Sequence, residues 1–318
     1  MHSRGLFVLQ GVAKKFGYAT LSAMTSAEQL LSAIGRAEFQ HIENLIHVFV
    51  GGSELHGAKV KDTDDLDIYG VYLEPPEYAL GLDKSDFFVW STSGNERRNG
   101  PDDIDICLYS LCKWAGLATK GNPTALHFLF EPNSAPKPKP WESIVIDKQV
   151  FLSRQAASQF RGFADAQVRR LQGIGTGKKG QRHELIGEHG YDIKAAMHVI
   201  RLLNEGIELM RSGVIALPRP EKDLLVTIRT GNYGSLERVL DLANRLFAQL
   251  EQAEIQSTLP EKVDKLKISQ LISKTYLRHW NYDYAHDLEL LNRATDRLNA
   301  EAEETLEYQA DPWRPEME

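Results

Sequence analysis

The feature that most constrains this chain is a Gly-Gly-Ser interruption of one apolar run, followed by two acidic residues that open a second apolar run. The first run ends at Val50, and Gly-Gly-Ser occupies 51–53. Asp65 and Asp67 then lead into an apolar run. Because strand side chains alternate between the two faces of a sheet, we expect both carboxylates on one face. The sequence therefore predicts a small-residue turn and a pair of carboxylates within one strand-rich segment.

This combination suits the transfer of a phosphoryl or nucleotidyl group. Gly52 permits a close backbone approach to a phosphate, and Ser53 can begin a short helix whose first amides face that phosphate. Asp65 and Asp67 offer the oxygen ligands that Mg²⁺ or Mn²⁺ prefers. An ordinary tight turn is the alternative interpretation of the two glycines.

A solvated acidic turn is the alternative interpretation of the crowded carboxylates. It accounts well for Asp62 and Asp64. It accounts poorly for Asp67, because the run 68–73 that follows is fit for a buried strand and a buried carboxylate needs a partner. We therefore expect Asp65 and Asp67 to be metal ligands.

The ordered set of motifs resembles the nucleotidyltransferase signature of the DNA polymerase β superfamily, and more narrowly the RNA-ligase-associated enzymes of the RNA-repair-pathway type. The resemblance extends over most of residues 45–260. Its motifs are Gly52-Ser53-Glu54-Leu55-His56-Gly57, Asp64-Asp65-Leu66-Asp67 with Gly70, Glu74-Pro75-Pro76-Glu77-Tyr78 with Gly81-Leu82, Tyr109-Ser110-Leu111, Lys120-Gly121-Asn122-Pro123-Thr124 and Gly190-Tyr191-Asp192. The resemblance implies NTP as substrate, ATP included, Mg²⁺ or Mn²⁺ as cofactor, and an RNA end as acceptor.

The resemblance also implies a third carboxylate on a neighbouring strand. Residues 103–109 alternate between apolar and other side chains, which predicts a strand with Asp103 and Asp105 on one face. Asp105 fits the role best because it lies inside the alternating run, and Asp103 is the alternative. An exposed face of an edge strand is the other interpretation of this pattern.

A helix predicted at 191–210 is apolar around most of its circumference, which indicates that it is largely buried. Its polar residues fall on one stripe: Lys194, His198, Arg201, Glu205 and Glu208. Pairing of Arg201 with Glu205 across one turn is the plain structural interpretation. The resembled family carries comparable polar residues here, so we expect Lys194, His198 and Arg201 to bind the nucleotide together with Gly52 and Ser53.

The pattern of elements predicts an α+β fold with a small mixed sheet followed by an α-helical domain. Strands are expected at 45–50, 68–73, 87–90 and 103–109, and helices from Ser26 and at 110–119, 153–171, 191–210, 224–229, 236–250 and 262–280. We expect an N-terminal extension over 1–25, a nucleotidyltransferase domain over 26–135, a proline-rich linker over 136–152 and a helical domain over 153–318. Ser153 is expected to cap the first helix of that domain.

Composition narrows the class of protein. The net charge of -7 argues against a surface that coats nucleic acid, although it allows a local basic groove. Two cysteines cannot form a disulfide framework, and no apolar stretch is long enough to span a membrane. The first 27 residues lack Asp and Glu, as transit peptides do, but a plain extension of a cytoplasmic protein is the preferred interpretation. The basic glycine-rich stretch 173–182 is interpreted as a surface connection or as a loop that closes on a polyanion.

The hypothesis from sequence is a metal-dependent nucleotidyltransferase that moves an NMP from an NTP to an acceptor hydroxyl at an RNA end, such as that of tRNA, with release of pyrophosphate. One alternative is transfer to a protein or a small molecule. Another is a regulatory module that binds NTP without turnover. The oligomeric state, the preferred NTP and the acceptor are left open by the sequence.

Overall fold

A four-stranded mixed sheet organises the first half of the chain. The computed structural model describes residues 21–60, 64–94, 100, 102–132, 139–174, 182–281, 293, 295–297 and 299–300. The strands are β1 (Leu45–Val50), β2 (Leu66–Tyr72), β3 (Phe87–Ser91) and β4 (Ile104–Ser110). Their order across the sheet is β1-β2-β4-β3. All four lie close to the ranges that alternation and apolar runs predict, and the α+β class is confirmed.

The two central strands, β2 and β4, run parallel, whereas each outer strand is antiparallel to its neighbour. In the register of the central pair, Asp67 lies directly opposite Asp105. The backbone amide of Gly51 donates to the carbonyl of Asp67 at 2.9 Å, which fixes the end of β1 beside the start of β2. The sheet therefore carries its carboxylates at the edge where the Gly-Gly-Ser turn lies.

Helix α1 (Leu21–Arg36) covers one face of the sheet. Leu31 and Ile34 of this helix pack with Ile68 and Ile106 of the central strands, and all four are at most 2% exposed. The helix is described from Leu21, so the prediction that Ser26 caps its start is wrong. The residues before Ser26 include leucine, alanine and methionine, which are good helix formers, and neither glycine nor proline interrupts them.

The next helices are α2 (Gly52–His56), α3 (Pro76–Ala79), α4 (Leu111–Thr119), α5 (Pro123–Phe130) and α6 (Lys139–Ile146). Of these, α4, α5 and α6 build an aromatic core on the other face of the sheet. Ser110 and Asn122 cap α4 and α5 by accepting a hydrogen bond from the third residue of each helix. Trp114, Phe128 and Trp141 of α4, α5 and α6 are completely buried.

The second half of the chain is helical, as predicted. Its helices are α7 (Gln155–Leu171), α8 (His183–His189), α9 (Ile193–Ser212), α10 (Lys222–Arg229), α11 (Leu236–Gln256) and α12 (Lys265–His279). Helix α9 packs against α7, α10 and α11, which explains its apolar circumference. Gly206 lies where α9 meets Phe160 and Leu250, and a Cβ there would crowd both.

Two local predictions differ from the structure. Helix α7 begins at Gln155 with no side-chain cap, and Ser153 accepts a helical bond only through its carbonyl, from the amide of Ala156. Residues 139–151 of the expected linker form α6 and a 3-10 helix, because Trp141 and Phe151 bury their side chains there. The first part of that linker lies outside the described residues. The domain division itself stays a proposal.

Other expected segments also fall outside the described part of the chain: residues 1–20 of the extension, Asp62, most of the basic glycine-rich stretch 173–182, and the C-terminal tail. The described residues up to Ile272 form one compact unit, and those from Ser273 onward form a second. Among the described helices, none has both the length and the apolar character that a membrane crossing requires.

Candidate active site

The Gly-Gly-Ser turn joins β1 to α2 and brings the backbone against two side chains of β2. Gly52 has a φ of 55°, a left-handed backbone conformation that other residues adopt only at a cost in free energy. A Cβ at Gly52 would overlap the Asp67 carboxylate, and a Cβ at Gly51 would overlap the ring of Tyr69. Both glycines are therefore required by close approach to β2 and not merely by the turn.

Three carboxylates meet at this edge of the sheet. Ligand oxygens of Asp65, Asp67 and Asp105 all lie within 4.8 Å of one another. Burial, and then the charges of Asp65 and Asp105, raise the pKa of Asp67 to about 6, and Lys194 opposes that shift. A divalent cation would remove the repulsion, and oxygen-only ligands suit Mg²⁺ or Mn²⁺. The three residues fit a metal ion in both arrangement and chemistry.

Asp103 lies on the same strand face by sequence but has a different position in the structure. Its Oδ2 accepts from the amide of Gly100 at 2.7 Å, and its Oδ1 accepts from the hydroxyl of Thr92 at 2.7 Å. These bonds hold the side chain within the connection between β3 and β4. Of the two candidates for a third carboxylate, the structure brings Asp105 to Asp65 and Asp67.

Asp64 is buried, and its interpretation as part of a solvated acidic turn is wrong. Its Oδ2 accepts from the Ser53 hydroxyl at 2.9 Å and from the Val60 amide at 3.0 Å. Its Oδ1 pairs with the guanidinium of Arg229, which also donates to the Ala58 carbonyl at 3.1 Å. Asp64 thus links the glycine turn to α10, and the hydrogen bond from the Ser53 hydroxyl is part of that link.

A cavity of about 280 Å³ lies between the glycine turn and α9. Its acidic wall carries Asp65 and Asp67. Its opposite wall includes three predicted nucleotide-binding residues of α9, Lys194, His198 and Arg201. The structure therefore brings the turn, two of the three carboxylates and the polar stripe of α9 to one cavity, as the sequence predicts. Glu208 is turned to Arg219 instead.

The three α9 side chains differ in charge and in contacts. Burial, and then the neighbouring Arg201, Arg182 and Lys194, lower the pKa of His198 to about 3, so this imidazole is neutral. Arg201 donates to Glu205 at 2.9 Å, so the pairing that the plain structural interpretation gave is present. The Lys194 side chain has no hydrogen bond or ion pair within the described part of the chain. His198 can therefore offer a hydrogen bond but not a positive charge.

Four further residues that line this cavity were not predicted individually from the sequence: His56, His127, Arg182 and Arg229. Arg182 donates to both oxygens of Asp192, the N-cap of α9, at 3.1 Å. His56 lies within a motif that carried the resemblance, and Arg182 ends the basic stretch for which closing on a polyanion was one interpretation, so both had a signal in the sequence. His127 and Arg229 had none, because only the packing of distant helices brings them to the turn.

A second cavity, of about 260 Å³, adjoins the same carboxylates. It shares Asp67 and Tyr69 with the first cavity, and Asp105, Val89 and Cys107 also line it. Its described lining contains no lysine or arginine. Two cavities thus meet at the carboxylates, and among the described residues only the first is lined by lysine and arginine.

The sequence was compared with models of protein families. The family model RlaP, described as the RNA repair pathway DNA polymerase beta family, matches residues 25–274. A search of curated proteins found no match.

Proposed function

The chain belongs to the RNA repair pathway DNA polymerase beta family, and on that premise we propose that it is a metal-dependent nucleotidyltransferase acting on an RNA end. It moves an NMP from an NTP to an acceptor hydroxyl and releases pyrophosphate. The observation that carries this proposal is the meeting of Asp65, Asp67 and Asp105 between two cavities. Family membership supports nucleotidyl transfer in RNA repair, and the geometry supports a divalent metal.

Asp65, Asp67 and Asp105 would hold Mg²⁺ or Mn²⁺. When bound, the metal supplies charge neutralisation for the phosphates and the attacking oxygen. In this proposal Asp105 also accepts the proton of the acceptor hydroxyl, because it borders the second cavity. Gly52 lets the backbone of the turn approach the phosphates.

The triphosphate occupies the first cavity in this proposal. Lys194, Arg201 and Arg182 offset the charge that develops on the leaving pyrophosphate, because preorganised donors act strongly where water is excluded. His198 is neutral and contributes a hydrogen bond. Ser53 shapes the turn through its bond to Asp64 and contributes to nucleotide binding through the backbone.

The acceptor hydroxyl enters from the second cavity. Its described lining is free of cationic side chains, so we propose that this cavity receives the sugar and base of the acceptor and that backbone phosphates lie beyond it. RNA as the acceptor rests on the family. A protein or small-molecule acceptor, and NTP binding without turnover, are distinguished from it by experiment.

The experiment is pyrophosphate release with each NTP and Mg²⁺ or Mn²⁺, with and without total tRNA. Wild type is compared with Asp65→Asn/Asp67→Asn and with Asp83→Asn/Asp147→Asn, a control that changes the same charge at exposed positions. We expect release that tRNA stimulates, that only the first variant loses, and whose preferred NTP identifies the substrate. NTP binding without release under any acceptor would favour the regulatory module. A fully active Asp67→Asn protein would contradict the proposal.

A further inference from the structure

Four side chains from three helices meet beside the first cavity, three of them buried and one, Arg201, partly buried. His56 ends α2, His127 lies in α5, and Arg201 and Glu205 lie one turn apart on α9. Glu205 is completely buried. We call this group the Glu205 cluster. It connects the helix that follows the glycine turn to the helix that forms the opposite wall of the cavity.

The contacts of the cluster converge on Glu205. Arg201 Nη1 donates to Glu205 Oε1 at 2.9 Å and to Oε2 at 3.1 Å. His127 Nε2 lies 3.1 Å from Oε2, and His56 Nδ1 lies 3.3 Å from Oε1. Arg201 Nη1 also lies 3.1 Å from His56 Nε2. Both oxygens of the carboxylate are thus engaged, and one nitrogen of the guanidinium is fully used.

The charges within the cluster follow from these contacts. Burial, and then the Arg201 guanidinium, hold the pKa of His56 well below its usual range, so the ring is neutral. Because a guanidinium only donates, His56 Nε2 is the acceptor and Nδ1 carries the proton. Burial raises the pKa of Glu205, but Arg201 and His127 more than offset it, so that carboxyl stays ionised. The cluster is one ion pair flanked by imidazoles.

Two histidines and a glutamate also form a ligand set that zinc uses, and their ligand atoms lie within 4.8 Å of one another. Here, however, Arg201 Nη1 already contacts both oxygens of Glu205 and Nε2 of His56. A metal ion would be placed against a guanidinium and repelled by it. The cation of this cluster is Arg201 itself.

Arg201 has a second edge that the cluster does not use. Its side chain lines the first cavity, and its buried Nε has no hydrogen-bond acceptor within the described residues. Buried donors of this kind are nearly always paired in native proteins. An oxygen of a molecule in the cavity would supply the missing acceptor, and the planar guanidinium matches phosphate oxygens well.

We propose that Glu205 is a positioning residue: it holds Nη1 of Arg201 so that the Nε edge of the guanidinium faces a phosphate oxygen of the bound NTP. This inference rests on the proposed function and names the group that prepares one of its phosphate ligands. His56 and His127 complete the support, and they fix the distance between the glycine turn and α9.

The test is a double-mutant cycle on the full chain, with binding of MgNTP and of Mg-pyrophosphate measured by calorimetry. Glu205→Gln and Arg201→Met are each expected to lower the affinity about 10- to 100-fold, as expected for lost hydrogen bonds to charged groups. The double variant is expected to lie within about twofold of Arg201→Met, because Glu205 acts through Arg201.

Two further variants separate positioning from folding. Glu208→Gln alters the neighbouring acidic residue of α9, which pairs with Arg219, and we expect wild-type affinity. Arg201→Lys keeps a cation for Glu205 but lacks the second edge, so we expect a folded protein with reduced affinity. This variant tests the inference even where Glu205→Gln fails to fold.

The outcomes are distinguishable. Wild-type affinity for Glu205→Gln or Arg201→Lys would overturn the inference. An equal loss from Glu205→Gln in the wild-type and Arg201→Met backgrounds would overturn it too, and leave the proposed function intact. Absence of NTP binding by the wild-type protein would contradict both.

Discussion

Two requirements oppose each other at the Asp67 carboxyl group. It has to bind a cation, and the protein has to fold when no cation is bound. The side chain is held against Asp65 and Asp105, and its pKa is raised to about 6 from 3.8. Its ionised form is therefore disfavoured in the metal-free folded protein. The repulsion that makes the site suitable for a metal also costs stability when no metal is bound.

We expect Asp67→Asn to stabilise the metal-free protein at pH 7.5, by up to about 3 kcal/mol, since each pKa unit corresponds to about 1.4 kcal/mol. Below about pH 3 the wild-type carboxyl is protonated in the folded and unfolded states alike, so the gain should vanish. The gain should grow as pH rises from about 4 to 6, because over that range the unfolded chain loses the proton while the folded protein still retains it, and it should level off at higher pH. Urea denaturation with a chelator at several pH values measures this. A destabilised variant at pH 7.5 would contradict it.

Gly52 is a second residue where the backbone itself is constrained. We expect Gly52→Ala to cost about 1–2 kcal/mol for the left-handed backbone and, in addition, to displace the Asp67 carboxylate. Gly190→Ala is the matched control, because Gly190 also has a positive φ but open space around it. Both variants should unfold at lower temperature, and only Gly52→Ala should lose Mn²⁺ affinity. Equal Mn²⁺ affinities would contradict the role of close approach.

The residue scale also shows what the sequence could predict. Asp65 and Asp67 were found because strand alternation places both carboxylates on one face. Asp105 was chosen because the resemblance implies a third carboxylate on a neighbouring strand, and the parallel register sets it opposite Asp67. Asp64 was misinterpreted because its partner, Arg229, lies 165 positions further along the chain. The local sequence pattern indicates on which face of a strand a side chain lies. It does not indicate which distant helix packs over that side chain.

Among the elements, α10 connects the helical half to the glycine turn through one buried ion pair. Arg229→Met should destabilise the protein by about 3–5 kcal/mol, because it leaves the Asp64 carboxylate buried without its cation. Combining Arg229→Met with Asp64→Asn should recover part of the lost unfolding free energy. Arg245→Met removes an exposed arginine of α11 and is expected to change stability little. Urea denaturation compares these proteins with wild type and with Asp64→Asn alone, and additive losses of unfolding free energy in the double variant would contradict the coupling.

The elements were predicted more securely than their ends. The helical period of α9 identified its polar stripe, and the alternation of β4 identified its inward face. Ser26 was wrongly assigned as a cap because the residues before it continue the helix, and Ser153 because its helix begins two positions later, at Gln155. Helix α6 was not predicted because its segment is rich in prolines, although the buried Trp141 makes that segment part of the core.

At the scale of the whole molecule, a chain with a net charge of -7 gathers Arg182, Lys194 and Arg201 around one cavity. These three cationic side chains lie where we expect an anion to bind, although the chain as a whole is acidic. The cavity joins β1, β2 and α9, which belong to the two domains proposed from the sequence. That arrangement could not be predicted from any single segment, because it depends on how α9 packs. The domain division and the cytoplasmic location stay predictions.

Mass action makes nucleotide binding visible in the stability of the molecule. We expect MgNTP at 100 times its Kd to raise the unfolding free energy by about 2.7 kcal/mol, and NTP without metal to raise it less. Mg²⁺ should add to the unfolding free energy of the Asp83→Asn/Asp147→Asn protein in the presence of NTP. It should add nothing to that of the Asp65→Asn/Asp67→Asn protein. Thermal unfolding with and without chelator measures it. An increment of equal size in both double variants would show that metal and nucleotide bind elsewhere.

The position of β3 at the outer edge of the sheet has a consequence for how such proteins diverge. Asp67 and Asp105 are fixed by the pairing of β2 with β4, and β3 is attached beyond them. Ser93 and Gly94, which follow β3, line the second cavity, and a change of chain length after them would leave that pairing unchanged. Under the proposed function, the wall of the acceptor cavity can therefore vary while Asp67 stays opposite Asp105.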